Sequence, residues 1–142
     1  MTQNAIIVGL AVLVAATAPT AAQHPARGCL SYEPDTVSLR GTLRRHTYPG
    51  PPNYESVKEG DEPETGFYLH LLRPVCTVAK DIDDAHDNVR LVQLVLDSTG
   101  YARLTPALGH VITLRGTLSS AITGHHHALL QLEVLAPVRY QR

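Results

Sequence analysis

The string Leu-Arg-Gly-Thr-Leu occurs twice, at residues 39–43 and 114–118, in opposite halves of the chain. Each copy sits in a longer alternation. Val37, Leu39, Gly41 and Leu43 alternate with Ser38, Arg40, Thr42 and Arg44, and Ile112, Leu114, Gly116 and Leu118 repeat that pattern. Successive side chains of a strand point to opposite faces, so period two reads as a half-buried strand. In both copies the glycine falls on the apolar face. A strand glycine gives up packing and entropy there, and so marks a bulge or sharp bend, as at the corner of a small barrel. The string occurs only twice and the segments between share no period, which excludes a solenoid.

Three further strands follow from the same alternation. Phe67, Leu69 and Leu71 alternate with Tyr68 and His70 before Pro74, Val92, Leu94 and Leu96 form one face of residues 89–97, and Leu130, Leu132 and Val134 one face of residues 128–135. Between the third and fourth strands, residues 98–109 hold a turn and one helical turn capped by Thr105. Five short strands with two corner glycines and one longer insertion predict an all-β fold, a small five-stranded OB-like Greek-key barrel, the alternative being another small β-barrel or sandwich. With 142 residues, 44% of them hydrophobic, the chain fits one core. The expected division is a signal peptide over 1–22, an N-terminal arm over 23–35, the barrel over 36–136 and a tail over 137–142.

The leader rests on an apolar run over residues 5–18, too short to span a membrane comfortably, followed by Thr20-Ala21-Ala22 as a cleavage site before polar Gln23. No Lys or Arg precedes the run, a departure from the usual signal. Export to the periplasm or exterior, with no stable membrane anchor after cleavage, is the expectation. Two cysteines, Cys29 and Cys76, then read most simply as one disulfide in an oxidising compartment. The alternatives are two buried thiols or a lipid-anchored Cys29, which would strand Cys76. If the first two strands are antiparallel neighbours, the start of one lies beside the end of the other, where these cysteines would sit.

Lys plus Arg number 12 and Asp plus Glu 13, so no excess of positive charge drives phosphate binding. Nucleic acid is not expected as a partner. The acidic loop over residues 80–88 lacks the glycine and terminal glutamate of a calcium-binding EF-hand and reads as solvated.

Two segments carry the candidate chemistry. Residues 48–65 form a proline-stiffened loop, and residues 119–127 a turn ending in His125-His126-His127. The OB topology places both at one end of the barrel, as the loops that flank its ligand face. They would bring Tyr48, Asn53, Tyr54, Glu55, Asp61 and Glu62 toward His125, His126 and His127, the expected binding set. His125 and His127, two apart, can point to one side and hold zinc or copper if Asp61, Glu62 or His70 supplies a third ligand. The opposing reading makes them a polar clasp that hydrogen-bonds the first loop. On that reading no cofactor is required.

Pro49-Gly50-Pro51-Pro52-Asn53-Tyr54-Glu55-Ser56, Gly60-Asp61 with Glu64, and Thr123-Gly124-His125-His126-His127 together resemble a family of small secreted bacterial proteins known as a domain of unknown function. The resemblance spans the whole mature domain and implies an exported β domain, with no activity or ligand to carry over. The expected function is a binding module recognising an envelope protein or peptide through the 48–65 and 119–127 loops. A glycan is the lesser candidate, because the chain has no tryptophan and only 5% aromatic residues to stack on sugar faces. The alternative is a divalent-metal-binding protein or metal-dependent enzyme built on the histidines. Catalysis is the weaker expectation, since no nucleophile motif such as Gly-x-Ser-x-Gly is present.

Overall fold

The computed structural model describes residues 28–136 and 138–140. The expected leader, the first five residues of the arm and parts of the tail lie outside the described residues. Five strands, β1 (Thr36–Pro49), β2 (Pro63–Val75), β3 (Val89–Val95), β4 (Val111–Ser120) and β5 (Leu130–Val134), close into a barrel in the order β1-β2-β3-β5-β4. The β3–β5 pair is parallel and the other four are antiparallel. This is the OB-like barrel that the alternation predicts.

The repeated glycines explain how so short a chain closes a sheet. β1 pairs with β4 over residues 36–42 and with β2 over 41–49, so Gly41 stands where the strand changes partners. A Cβ there would run into the backbone carbonyl of His70, and one at Gly116 into that of Glu133. Only a residue without a side chain lets the neighbouring backbone come so near. Inside the barrel Leu43, Leu69, Val92, Ile112, Leu114, Leu130 and Leu132 are wholly buried. Each contributes roughly 1.5–3 kcal/mol from burial.

Three local features differ from expectation. β1 runs on to Pro49 and β2 starts at Pro63, and these prolines face each other at the end of the ladder, where a missing N–H donor is tolerated. The first loop therefore shrinks to residues 50–62, and Tyr48 is a strand residue. Second, the expected single turn is a longer helix, α1 (Ser98–Leu104), whose N-cap is Asp97; the Gly100 N–H donates to its carboxylate at 2.6 Å. Thr105 instead follows the helix C-terminus, its hydroxyl donating to the Tyr101 carbonyl. Third, the arm is not merely irregular. Tyr32 is fully buried, its hydroxyl donating to the Asp84 carbonyl at 2.6 Å and bonded to the Ser120 and Thr77 hydroxyls at 3.0 Å.

Cys29 and Cys76 form a disulfide with Cα atoms 4.7 Å apart, and Leu30 donates its N–H to the Cys76 carbonyl beside it. The bridge joins residues 47 apart in sequence, a loop whose closure is worth about 4 kcal/mol in the chain-entropy model. Among the described residues no helix is long and apolar enough to cross a membrane. The acidic 80–88 loop docks on the barrel, with Asp83 accepting the Ser120 N–H at 2.7 Å.

Candidate functional site

The outer faces of β1, β2 and β3 depart from the usual polar, solvated face of a half-buried sheet. Pairing of Arg44 with Tyr68, and of Tyr68 with Gln93, puts these three residues side by side across the strands. Tyr68 is only 1% exposed although it lies outside the core. Its cover is a layer of rings: His46 edge-on at 5.4 Å and Tyr48 edge-on at 5.3 Å. Burial, reinforced by nearby Tyr48, Tyr101 and Glu64, pushes the Tyr68 hydroxyl well above the ordinary phenol range, so it stays protonated.

Above this layer the two loops meet across one carboxylate. His125 donates through Nδ1 to Glu64 Oε1 at 2.5 Å, and His127 through Nε2 to Glu64 Oε2 at 2.7 Å. Burial alone would raise the Glu64 carboxyl, but the hydrogen bonds from His127 and His125 outweigh it and hold the group below the usual carboxylate range. With Nδ1–H committed to Glu64, Nε2 of His125 faces the Tyr54 hydroxyl at 3.5 Å. The His127 ring stacks on Tyr48, centroids 4.9 Å apart and planes within 12°. The turn's backbone is held by Gln93, whose amide donates to the His125 carbonyl at 3.1 Å and accepts the His127 N–H at 2.7 Å.

Two glycines make room for this assembly. A Cβ on Gly50 would stand 2.6 Å from the Glu64 side chain, and one on Gly124 2.8 Å from the Tyr54 ring. Tyr54 itself adopts a φ of 60°, a left-handed conformation unusual for a bulky residue, which turns its ring back over Gly124.

The remaining members of the expected set serve the loop itself. Asp61 is buried and accepts the backbone N–H groups of Asn53 at 2.9 Å, Glu55 at 2.7 Å and Ser56 at 2.8 Å. These bonds, that from Ser56 foremost and then that from Asn53, hold its carboxyl below the ordinary range. Glu62 ties the loop's base through its backbone, accepting the Gly50 N–H and donating to the Pro51 carbonyl. Asn53, Glu55 and Glu62 make no hydrogen bond to the histidines among the described residues. His126 turns away, its Nδ1 accepting the Ile122 N–H at 3.0 Å within its own turn.

The residues weighed as a third ligand to His125 and His127 are engaged elsewhere. Asp61 and Glu62 serve the loop, and His70 lies against His46, Nε2 to Nε2 at 2.6 Å. Among the described residues no group of three or more His, Cys, Asp or Glu is placed to hold a metal ion. Glu64, His125 and Tyr54 line up as carboxylate, imidazole and hydroxyl, yet among the described residues no serine, threonine or cysteine side chain bonds any of these histidines. The cleft over the site measures about 170 Å³, below the range of small-molecule pockets. A larger hollow of about 680 Å³, between Glu33, Lys80, Ile82, Ser119 and Ile122, carries neither a histidine nor an aromatic ring.

Fold and site define a small OB-like barrel whose ring-covered outer face is clasped by its two flanking loops. Residues 91–135 match the profile of a family described as a domain of unknown function (DUF4431). That stretch runs from β3 through β5 and holds Gln93 and the Thr123–Gly124–His125 motif, but not the proline-rich motif of the first loop, so the match is narrower than the whole mature domain. No curated protein and no solved structure shows a significant match to the chain.

Proposed function

We propose that the chain is an extracytoplasmic binding module, periplasmic or secreted, whose outer β1–β3 face and flanking loops recognise a protein or peptide of the cell envelope. The observation that carries this reading is the convergence of Tyr48, Tyr54, Glu64, His125 and His127, with Tyr54 and His125 exposed, on one edge above a buried tyrosine. Rings with few rotatable bonds, held in place by their neighbours, supply contact area at low entropic cost, as an interface anchor requires. The shallow cleft favours a surface partner over an enclosed small molecule. The disulfide accords with an oxidising compartment, and the proposed leader over residues 1–22 would deliver the chain there.

A pull-down from an envelope extract with wild type and Tyr54→Ala, with Tm measured alongside, tests the proposal. A partner retained by wild type and lost by the variant, at nearly unchanged Tm, is the expected result. An unchanged partner list with a lowered Tm makes Tyr54 a lid for the fold and overturns the assignment of this face.

A further inference from the structure

Beside the Glu64 clasp, the same outer face carries a second histidine cluster of opposite electrical character. Thr42 pairs with His70, Arg44 with Tyr68 and His46 with Gly66, so Arg44, His46 and His70 share the face by the period of the strands. The two Nε2 atoms lie 2.6 Å apart, a distance that requires a hydrogen between them and a lone pair on one ring. The His46 ring is fixed edge-on against Tyr68 and at 6.0 Å from Tyr48, so its Nε2 is aimed rather than free to wander.

No carboxylate among the described residues answers this cluster. Among the described residues the ion pairs are those of Glu64 with His125 and His127, which occupy both its oxygens. Arg44 has no acidic partner among them. The groups packed around the pair are the rings of Tyr48 and Tyr68 and the uncharged Gln93 and Leu91 of β3; Arg45 points to the other face, over Phe67. Burial first, and then the charges of His46 and Arg44, hold the His70 imidazole below the ordinary histidine range, as crowding of cations without an anion requires.

We propose that Arg44, His46 and His70 form an oxyanion-binding site that assembles when the histidine pair is protonated. With a proton on each Nε2 the N–H···N bond cannot exist. The two donors separate slightly and still converge on one point, where a sulfate, phosphate or carboxylate oxygen accepts both, with Arg44 supplying a charge-assisted third contact. Protons and anion then bind together: the anion stabilises the doubly protonated pair, and the pair in its neutral form closes the site. The inference stands apart from the proposed envelope partner, since an inorganic anion tests it directly.

Sulfate is the probe, because its charge is constant over the range in which histidine titrates. Calorimetry of the full chain at fixed ionic strength, at about pH 5 and about pH 8, is expected to give saturable one-to-one binding in acid and none at the higher pH. NMR titration is expected to show sulfate moving the His70 protonation to higher pH. Arg44→Gln and His70→Phe should each weaken acid binding about tenfold or more, while Tyr54→Ala leaves it unchanged; circular dichroism checks that each variant is folded. Binding of equal strength at both pH values, binding indifferent to Arg44→Gln, or no saturable binding in acid overturns the proposal. So does stoichiometric zinc uptake at about pH 8 by a chain that ignores sulfate in acid.

Discussion

Two pairs of histidines lie on one face of the barrel and do opposite things. His125 and His127 reach from a turn to share one carboxylate, whereas His46 and His70 face each other on adjacent strands beside an arginine. In the first pair one carboxylate accepts an N–H from each ring. In the second, a proton on both rings destroys the bond. The residue type is the same, and the neighbouring charge decides the character of the contact.

The largest break in this comparison comes from Glu64→Ala. It removes two charge-assisted hydrogen bonds and leaves the half-buried His127 ring without its acceptor, so a loss of about 2–3 kcal/mol in urea unfolding near neutral pH is expected. The folded carboxyl titrates below its ordinary value, so Glu64's contribution is present above the unfolded pKa and is lost as pH falls through the folded one. The gap between variant and wild type should persist at about pH 5 and narrow toward about pH 3.

His70→Phe acts on the other pair and should cost less, about 1 kcal/mol at pH 7, since one exposed hydrogen bond is removed. Its pH dependence has the opposite sense. The His70 folded pKa is depressed, so the unfolded chain takes up the proton first and wild type loses stability as pH falls from the ordinary histidine value toward the folded one. The variant escapes that loss, and its deficit should shrink by about pH 5, where the deficit of Glu64→Ala is intact. Equal pH profiles for the two variants would erase the distinction between the pairs.

The smallest effect belongs to Tyr54→Ala, about 0.5 kcal/mol, because the ring is 37% exposed and meets His125 edge-on at 5.8 Å. A double-mutant cycle sharpens it. Gly124→Ala drives a methyl into the Tyr54 ring and should destabilise wild type by about 1 kcal/mol, yet cost little in the Tyr54→Ala background. Additive costs would mean that the ring does not rest on Gly124.

Much of the fold was legible because strand periodicity is local. The inward sets around Leu39, Leu69, Val92, Leu114 and Leu132 come from alternation alone and are buried as read, except Leu96, which lies past the end of β3 and is half-buried. The ends of β1 and β2 were less so: Pro49 and Pro63 look like loop residues, and only their position at the edge of the ladder, opposite each other, makes them strand termini. Within the site, His125 and His127 both meet Glu64, but they do so from a turn rather than a strand, so strand alternation does not account for their common direction. The acid they meet was not readable from spacing. Asp61 and Glu62 stand three and two residues before Glu64 and look equally suited, but Asp61 is consumed by the backbone of its own loop.

By itself the sequence determined the five strands, the corner glycines that let them close, the cysteine pair and the two segments where polar chemistry gathers. Each of these follows from side-chain period, from the absence of a Cβ or from composition, all properties of neighbours along the chain. Only the tertiary structure decided that Glu64 receives both loop histidines and that His46 meets His70. Those contacts depend on the β1–β2 register and on the docking of the 121–129 turn against β3, and a shift of β2 by one residue in that register would have sent Glu64 and His70 to the other face.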